Sequence, residues 1–203
     1  MEARLLAHLE LFSQAYARNC EVRRIEKAEA QEFLNRNHSY GDAACKYRYG
    51  LFLKRHTGHI AAEMGSPIGS GMTAEVKNLS EGTLIAVATF SNARRWLKEG
   101  KEIRSYEWTR YASLPDLRVS GGMGKMLKAF IKEVQPDDIM SYADLEWSEG
   151  SVYGQLGFSL EGAKDPVLFE IGPDRIRIPI KEECLAGTSP ESKKYFQNLG
   201  SNK

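Results

Sequence analysis

A run of glycines at residues 118–125, RVSGGMGK, has the composition of an anion-binding turn. Gly121, Gly122 and Gly124 stand between a predicted strand and a predicted amphipathic helix. The first turn of a helix carries N–H groups without intrahelical partners, and the helix dipole adds partial positive charge there. Glycines remove the Cβ atoms that would hold a phosphate away from those donors. The run therefore predicts a pyrophosphate site built from the backbone, with Lys125 as an added cation.

A tight strand-to-helix turn is the alternative interpretation of the same run. The residues do not form the GxGxxG pattern of dinucleotide-binding folds, and the chain has no GxxxxGK[ST] motif of P-loop proteins. Neither of those two nucleotide-binding classes is therefore favoured, and the glycines alone leave the site and the plain turn open.

Tyr153 is the strongest single candidate for a proton donor. It lies in SVYGQLGF at residues 151–158, a segment that reads as a short helix ended by Gly157. A phenol can act as a general acid when it is held beside a reacting group. The alternative is that Tyr153 packs this helix against a sheet.

Two other side chains are candidates for handling a substrate proton. Asp144 ends a predicted strand, and strand ends commonly line the crevice of an α/β fold. It could orient or deprotonate a substrate, or serve as an N-cap or ion-pair partner. His38 closes a predicted helix, where it could reach a substrate or act as a cation on the helix dipole. His56 and His59 have no acidic or cysteine partner at ligand spacing, so no metal is predicted.

The candidate residues must be positioned by strands and helices, and the sequence shows the hydrophobic periodicity of both. The run TLIAVATFS at 83–91 is continuously apolar, as in a strand covered on both faces, and residues 46–55 alternate like a half-buried strand. Further strands are predicted at the start of CEVRRIEKAEAQEFLNRNH, at 103–113, and in DIMSYADL and VLFEIG. Helices are predicted over the rest of CEVRRIEKAEAQEFLNRNH, over MGKMLKAFIKEV and over 1–19. Residues 56–82 are predicted to form an insertion or flap, and residues 181–203 a polar appendage with a short helix around 193–199.

Composition describes an ordinary globular protein of 203 residues. Lysine and arginine (28) nearly balance aspartate and glutamate (27), which gives no electrostatic reason to expect tight nonspecific binding of nucleic acid. The three cysteines, at 20, 45 and 184, are far apart and odd in number, which favours free thiols in a reducing compartment. A cytoplasmic location without a membrane span is therefore predicted.

The chain order of strand, glycine loop, helix, strand and a short helix ending Tyr-x-x-x-Gly-Phe resembles the GCN5-related N-acetyltransferase superfamily. The resemblance covers residues 83–170 and, more loosely, 20–55, within a predicted domain of 20–180. It implies an α/β fold whose mixed, mostly antiparallel central sheet has splayed fourth and fifth strands flanked by helices. The splayed strands would be WTRYAS (108–113) and DIMSYAD (138–144).

The resemblance also implies a chemistry. The loop after the fourth strand would bind the pyrophosphate of acetyl-coenzyme A, backbone N–H groups of that strand would polarise the thioester, and Tyr153 would protonate the departing thiolate. Asp144 and His38 would serve the acceptor amine. The superfamily's arginine or glutamine falls at Val119, whereas Arg118 lies one place early. The residues expected to contact the co-substrate are Tyr111, Ala112, Ser120, Gly121, Gly122, Met123, Gly124, Lys125 and Ser148.

More narrowly, four segments resemble a phage-associated, Mom-like branch: FLNRNH, GGMGKMLKAFIK, MSYADLEWS and YGQLGF. Three functions stay open at this point. The first is acetyl transfer to a primary amine of a small molecule or a macromolecule. The second is modification of adenine in DNA, which the near-neutral charge does not favour. The third is a binding protein without catalysis, and an oligomer is compatible with all three.

Overall fold

The computed structural model describes residues 13–54, 79–98, 100–115, 117–144, 150–164, 169–171, 177–179 and 192–198. The chain divides into two compact units. The first unit contains Met1–Phe90 and Arg110–Gln135, and the second contains Ser91–Thr109 and Pro136–Lys203. Each unit has its own elements and its own part of the predicted chemistry.

The first unit combines antiparallel strands with the two longer helices. Its elements are β1 (Ser13–Tyr16), a 3-10 turn (Ala17–Asn19), β2 (Cys20–Arg24), α1 (Lys27–Asn37), β3 (Tyr47–Leu53), β4 (Leu84–Phe90), the end of β6 (Lys101–Ser113), β7 (Leu117–Ser120) and α2 (Gly122–Val134). Strand β3 pairs antiparallel with β2 on one side and with β4 on the other. Strand β1 pairs parallel with β7, immediately before the glycine turn.

Apolar periodicity accounts for the core of the first unit. The apolar runs of β3 and β4 are fully buried along most of their length. Helix α1 buries Phe33 and Leu34, and α2 buries Leu127 and Phe130. The rings of Phe90 and Phe130 stack at 3.9 Å between centroids, which joins β4 to α2. This packing fixes where α2 begins, and therefore where its first turn lies.

The predicted N-terminal helix is wrong over residues 13–19. These residues form β1 and the 3-10 turn instead. The register pairs Ser13 with Leu117 and Tyr16 with Ser120, and Gln14 Nε2 donates to Ser120 Oγ at 2.8 Å, across 106 positions of sequence. Helical spacing of apolar residues was a local signal, and the distant strand partner overrides it. Residues 1–12 lie outside the described part.

The second unit is mostly antiparallel and carries the short helix. Its elements are β5 (Arg94–Lys98), the first part of β6, β8 (Asp138–Asp144), α3 (Ser151–Gln155), β9 (Ser159–Lys164), β10 (Phe169–Ile171), β11 (Arg177–Pro179) and β12 (Ser192–Asn198). In this unit the strand order is β6-β8-β12-β9, with β5 paired to β6. Strands β6 and β8 run parallel over four pairs, the last of which joins Trp108, the first residue of the segment predicted to splay, to Ser141.

The prediction of a C-terminal appendage over 181–203 with a helix around 193–199 is wrong over residues 192–198, and the rest of the segment lies outside the described residues. Residues 192–198 form β12, which lies between β8 and β9 and pairs antiparallel with both. The polar sequence SKKYFQN gave no local sign of a central strand, because its pairing partners lie tens of residues earlier. Strands β5, β9 and β11 were likewise not predicted.

Most of the predicted insertion falls outside the described part of the chain, as does Ser148. Of the helices that the structure describes, none has both the length and the apolar character needed to cross a bilayer. Within the described residues, no cluster of histidine, cysteine, aspartate and glutamate side chains has a geometry that could ligate a metal ion.

Candidate functional site

The glycine turn lies in the first unit, between β7 and α2. Gly121 precedes the helix with φ of 75°, in the left-handed region that favours glycine. The first helical hydrogen bond runs from Lys125 N to Gly121 O at 3.0 Å. The N–H groups of Gly122, Met123 and Gly124 therefore belong to the first turn, where helix geometry gives them no carbonyl acceptor. The turn has the donor set that an anion requires.

Two close neighbours explain why residue 122 is a glycine. A Cβ built at Gly122 would lie 2.9 Å from Val119 Cγ1 and 3.1 Å from the phenol oxygen of Tyr111. Both neighbours would have to move to admit a side chain. Burial, with a smaller contribution from Cys20, raises the pKa of the Tyr111 phenol well above its ordinary value. Tyr111 therefore supports the turn as a neutral group.

Lys125 is engaged with the backbone of the N-terminal segment. Its Nζ donates to the carbonyl of Ala17 at 2.7 Å and to that of Cys20 at 2.5 Å. These bonds hold the 3-10 turn beside the glycine turn, where Ala17 Cβ lies 3.6 Å from a Cβ built at Gly121. Lys125 thus has a structural role that sequence reasoning missed, and its contact to a phosphate stays a prediction.

The other residues predicted to bind the co-substrate in this unit surround the same turn or end β6. Ser120 Oγ accepts from Gln14. Ala112 is buried in a core cluster with Phe33, Leu34 and Val87, so only its backbone is available to a ligand. The structure therefore brings together Tyr111 and the segment 120–125.

Tyr153 lies in the second unit, on α3. The helix begins after Gly150, which has φ of 75° and accepts at its carbonyl from Tyr153 N at 3.0 Å. The Tyr153 hydroxyl lies 2.9 Å from Ser141 Oγ, and it donates to the carbonyl of Tyr142 at 3.3 Å. Both contacts come from β8, so the strand and the short helix together fix the phenol.

Aromatic packing holds the Tyr153 ring in place. The ring meets Trp108 edge-on at 6.4 Å and Phe158 edge-on at 5.5 Å between centroids. Edge-to-face geometry is favourable for aromatic pairs. Tyr153 is half-buried, whereas Trp108 and Phe158 are buried. Packing and hydrogen bonding thus coexist at Tyr153, and the two interpretations of this residue are not exclusive.

Ser141 is a member of this cluster that sequence reasoning missed. Its hydroxyl donates to the carbonyl of Trp108 at 3.0 Å, and its side chain is buried. A serine beside the apolar residues Ile139 and Met140 in the middle of β8 was the available signal, because a buried hydroxyl needs a specific partner.

The predicted roles of Asp144 and His38 toward a substrate stay predictions. Asp144 is the last residue of β8, where it pairs in register with Ser192 of β12. His38 caps the C-terminus of α1 in the first unit, where its backbone N–H donates to Leu34 O at 2.8 Å. Its Nδ1 accepts from the N–H of Tyr40 at 3.1 Å, which ties the imidazole to the following loop. The observed role of His38 is therefore local.

Solved structures of acetyltransferases share this fold. The chain is similar to a point mutant of the spermidine N-acetyltransferase SpeG from Vibrio cholerae, with a TM-score of 0.53 and 12% identity over 89% of this chain and 94% of that one. It is also similar to the ribosomal-protein-S5-alanine acetyltransferase from Vibrio fischeri, with a TM-score of 0.51 and 13% identity over 91% of this chain and 96% of that one. No family model and no curated protein matches the chain.

The chain therefore has the mixed α/β, mostly antiparallel fold of the GCN5-related N-acetyltransferases, as its sequence predicted. At identities this low, the similarity defines the fold, and the activity must be argued from the residues themselves.

Proposed function

We propose that the chain is an acyl-coenzyme A-dependent N-acyltransferase, with acetyl as the transferred group. The single observation that carries the proposal is the glycine turn. Gly121 is in the left-handed conformation, and neither Gly122 nor Gly124 carries a Cβ that could hold an anion away from the first amides of the helix. A diphosphate fits such a cradle, and the acetyltransferase fold supports coenzyme A as its source.

The first unit would bind and orient the co-substrate. The amides of Gly122, Met123 and Gly124 would donate to the diphosphate. Tyr111 and Lys125 would stabilise the conformation of the turn. Backbone N–H groups at Tyr111 and Ala112, near the end of β6, would polarise the thioester carbonyl. Coenzyme A supplies the activated acyl group when it is bound.

Tyr153 would handle the proton of the leaving group. In the transfer, a neutral amine forms a bond to the acyl carbon, the carbon–sulfur bond breaks, and the phenol gives its proton to the sulfur. The proton that the amine loses then restores the phenol. Ser141, which contacts both the phenol and a main-chain carbonyl, would keep the hydroxyl oriented throughout. Asp144 and His38 are proposed as groups that serve the acceptor.

The acceptor is proposed only as a primary amine. The Mom-like resemblance in FLNRNH and MSYADLEWS points to an exocyclic amine of adenine as the alternative acceptor, and none of the comparisons bears on it. The cytoplasmic location and an oligomeric state also stay predictions.

Calorimetry with coenzyme A and with pantetheine tests the proposal. Coenzyme A is expected to bind the folded chain. Pantetheine lacks the diphosphate together with the adenosine and its 3′-phosphate, and it should bind at least roughly tenfold to a hundredfold more weakly, since charge-assisted hydrogen bonds to the diphosphate contribute about 1.5–3 kcal/mol. Equal affinity for the two ligands would remove the phosphate role of the turn, and no binding of either would remove the transferase assignment.

A further inference from the structure

Strand β5, Arg94–Lys98, and the start of β6, residues 101–104, form a two-stranded ribbon in the second unit. Strand β5 pairs antiparallel with the start of β6, from Arg94 opposite Ser105 to Lys98 opposite Lys101. Gly100, with φ of 76°, closes the hairpin. Strand β6 pairs with β8 only from Ser105 onward. The residues of β6 that belong to the ribbon therefore come before the part of the strand that pairs with β8. We call residues 94–104 the basic ribbon.

Positive charge is concentrated on the basic ribbon. Its sequence, RRWLKEGKEIR, has five lysines and arginines against two glutamates, whereas the whole chain is nearly neutral. Lys98 and Lys101 occupy opposite positions of the ladder next to the turn. The ribbon is therefore more basic than the chain as a whole.

Two arginines of β5 form ion pairs while remaining largely exposed. Arg95 pairs with Glu102 at 2.9 Å, and Arg94 reaches Glu107 at 3.7 Å. Both arginine side chains are about two-thirds exposed. Exposed pairs of this kind contribute little to stability. An incoming phosphate can therefore replace the carboxylate partner at low cost.

A tryptophan stands among these cations. Trp96 is 48% exposed, and its neighbour Leu97 is 78% exposed. Trp96 lies opposite Ile103 in the ladder, and side-chain alternation puts Arg94 and Lys101 on the same face of the ribbon. About half of the Trp96 side chain is therefore open to a stacking partner. The face therefore combines one aromatic plane with cations on both of its strands.

We propose that the basic ribbon binds single-stranded nucleic acid, with a base stacked on Trp96 and phosphates bound by Arg94 and Lys101, which lie on the same face as Trp96. Aromatic planes interleaved with cations match the alternation of bases and phosphates in an unpaired strand. An acidic protein surface would satisfy the charges but offers the indole no stacking partner. The inference does not depend on the transferase proposal, because it uses none of the same residues.

Fluorescence anisotropy with a labelled oligothymidylate tests the ribbon in the full chain. Saturable binding is expected at low salt, about 50 mM, with an affinity that falls roughly tenfold or more on raising the salt to about 200 mM. Trp96→Ala and Lys101→Glu should each weaken binding about tenfold or more, since stacking and phosphate contacts are lost. Trp96→Phe keeps an aromatic face and should retain most of the affinity.

Two variants elsewhere serve as matched controls. Leu160→Ala removes another exposed apolar side chain, and Arg36→Glu reverses another exposed cation on α1. Both should bind the oligonucleotide like the parent chain, and circular dichroism checks that all variants fold. The inference is overturned if the folded parent does not bind, if Trp96→Ala and Lys101→Glu bind as well as the controls, or if the ribbon residues matter only for binding to anionic vesicles.

Discussion

The hydroxyl of Ser141 lies 2.9 Å from the phenol oxygen of Tyr153. Because Ser141 gives its own proton to the carbonyl of Trp108, it accepts from the phenol in this arrangement. The carbonyl of Tyr142, at 3.3 Å, is the alternative acceptor for the single proton of the phenol. Tyr153 is therefore held by acceptors, which keeps its proton in place until a stronger base, such as a thiolate, competes for it.

Replacing Tyr153 by phenylalanine should slow transfer without unfolding the chain. The ring contacts to Trp108 and Phe158 remain, and only the proton donor is lost. The rate of acyl transfer to any amine that the parent acetylates should fall about a hundredfold, within the range of general-acid contributions. The release of free thiol from acetyl-coenzyme A measures that rate.

Tyr142→Phe is the matched control for this variant, because the carbonyl of Tyr142 stays in place. Its rate should equal that of the parent chain. Equal rates for Tyr153→Phe and the parent would show that another group protonates the leaving thiolate.

Replacing Gly122 by alanine should cost stability and binding together. The new Cβ meets Val119 and the Tyr111 phenol at distances that force both to shift. A loss of about 1–3 kcal/mol in the free energy of unfolding is expected from such overpacking, and coenzyme A should bind more weakly. Urea unfolding and calorimetry measure the two effects.

Gly162→Ala, where a Cβ meets nothing within 4 Å, should change neither property by more than a small amount. An unchanged free energy of unfolding in Gly122→Ala would mean that the approach of Tyr111 is not tight in solution.

Replacing Lys125 by methionine should loosen the N-terminal segment. Two charged hydrogen bonds to Ala17 and Cys20 are lost, while the apolar part of the side chain is kept. The free energy of unfolding should fall by about 2 kcal/mol, in the range for hydrogen bonds to a charged group. Lys128→Met, on the exposed side of α2, should unfold like the parent. A variant that loses affinity for coenzyme A without losing stability would reassign Lys125 to the phosphate.

Stability should fall in strong alkali. Burial raises the pKa of Tyr49 and Tyr111 above the ordinary tyrosine value, and at Tyr49 the hydrogen bond to Glu133 adds to the shift. The unfolded phenols lose their protons near pH 10, whereas the folded ones keep theirs to higher pH. The folded state then binds more protons, so the free energy of unfolding decreases above about pH 10, by up to about 1.4 kcal/mol per pH unit for each phenol.

Denaturant titrations between neutral pH and strong alkali measure this slope. Tyr111→Phe should make it shallower. A slope that Tyr111→Phe leaves unchanged would contradict the raised pKa at that position.

Local periodicity was enough to predict several elements of the fold. Phe33 and Leu34 mark the buried face of α1, and Leu127 and Phe130 mark that of α2, because helical spacing is read within a few turns. The continuous apolar run of β4 was recognised for the same reason. The glycine turn followed from its position between two such elements.

Elements whose partners are distant could not be found in this way. Ser13–Tyr16 is a strand only because β7 pairs with it, and Ser192–Asn198 is a strand only because β8 and β9 flank it. At the candidate site, Tyr153 was predicted from the segment in which it lies. Ser141 and the carbonyls that bind Lys125 were not, because a hydrogen-bond partner across the fold leaves no trace in nearby residues.

The position of β12 has a consequence for synthesis on the ribosome. Both of its neighbours emerge first, so β8 and β9 must wait with one edge bare until residues 192–198 arrive. Bare strand edges recruit other chains. A pause in translation between β9 and β12 would therefore prolong the interval in which this protein is most prone to aggregate, and chaperone demand should peak in that interval.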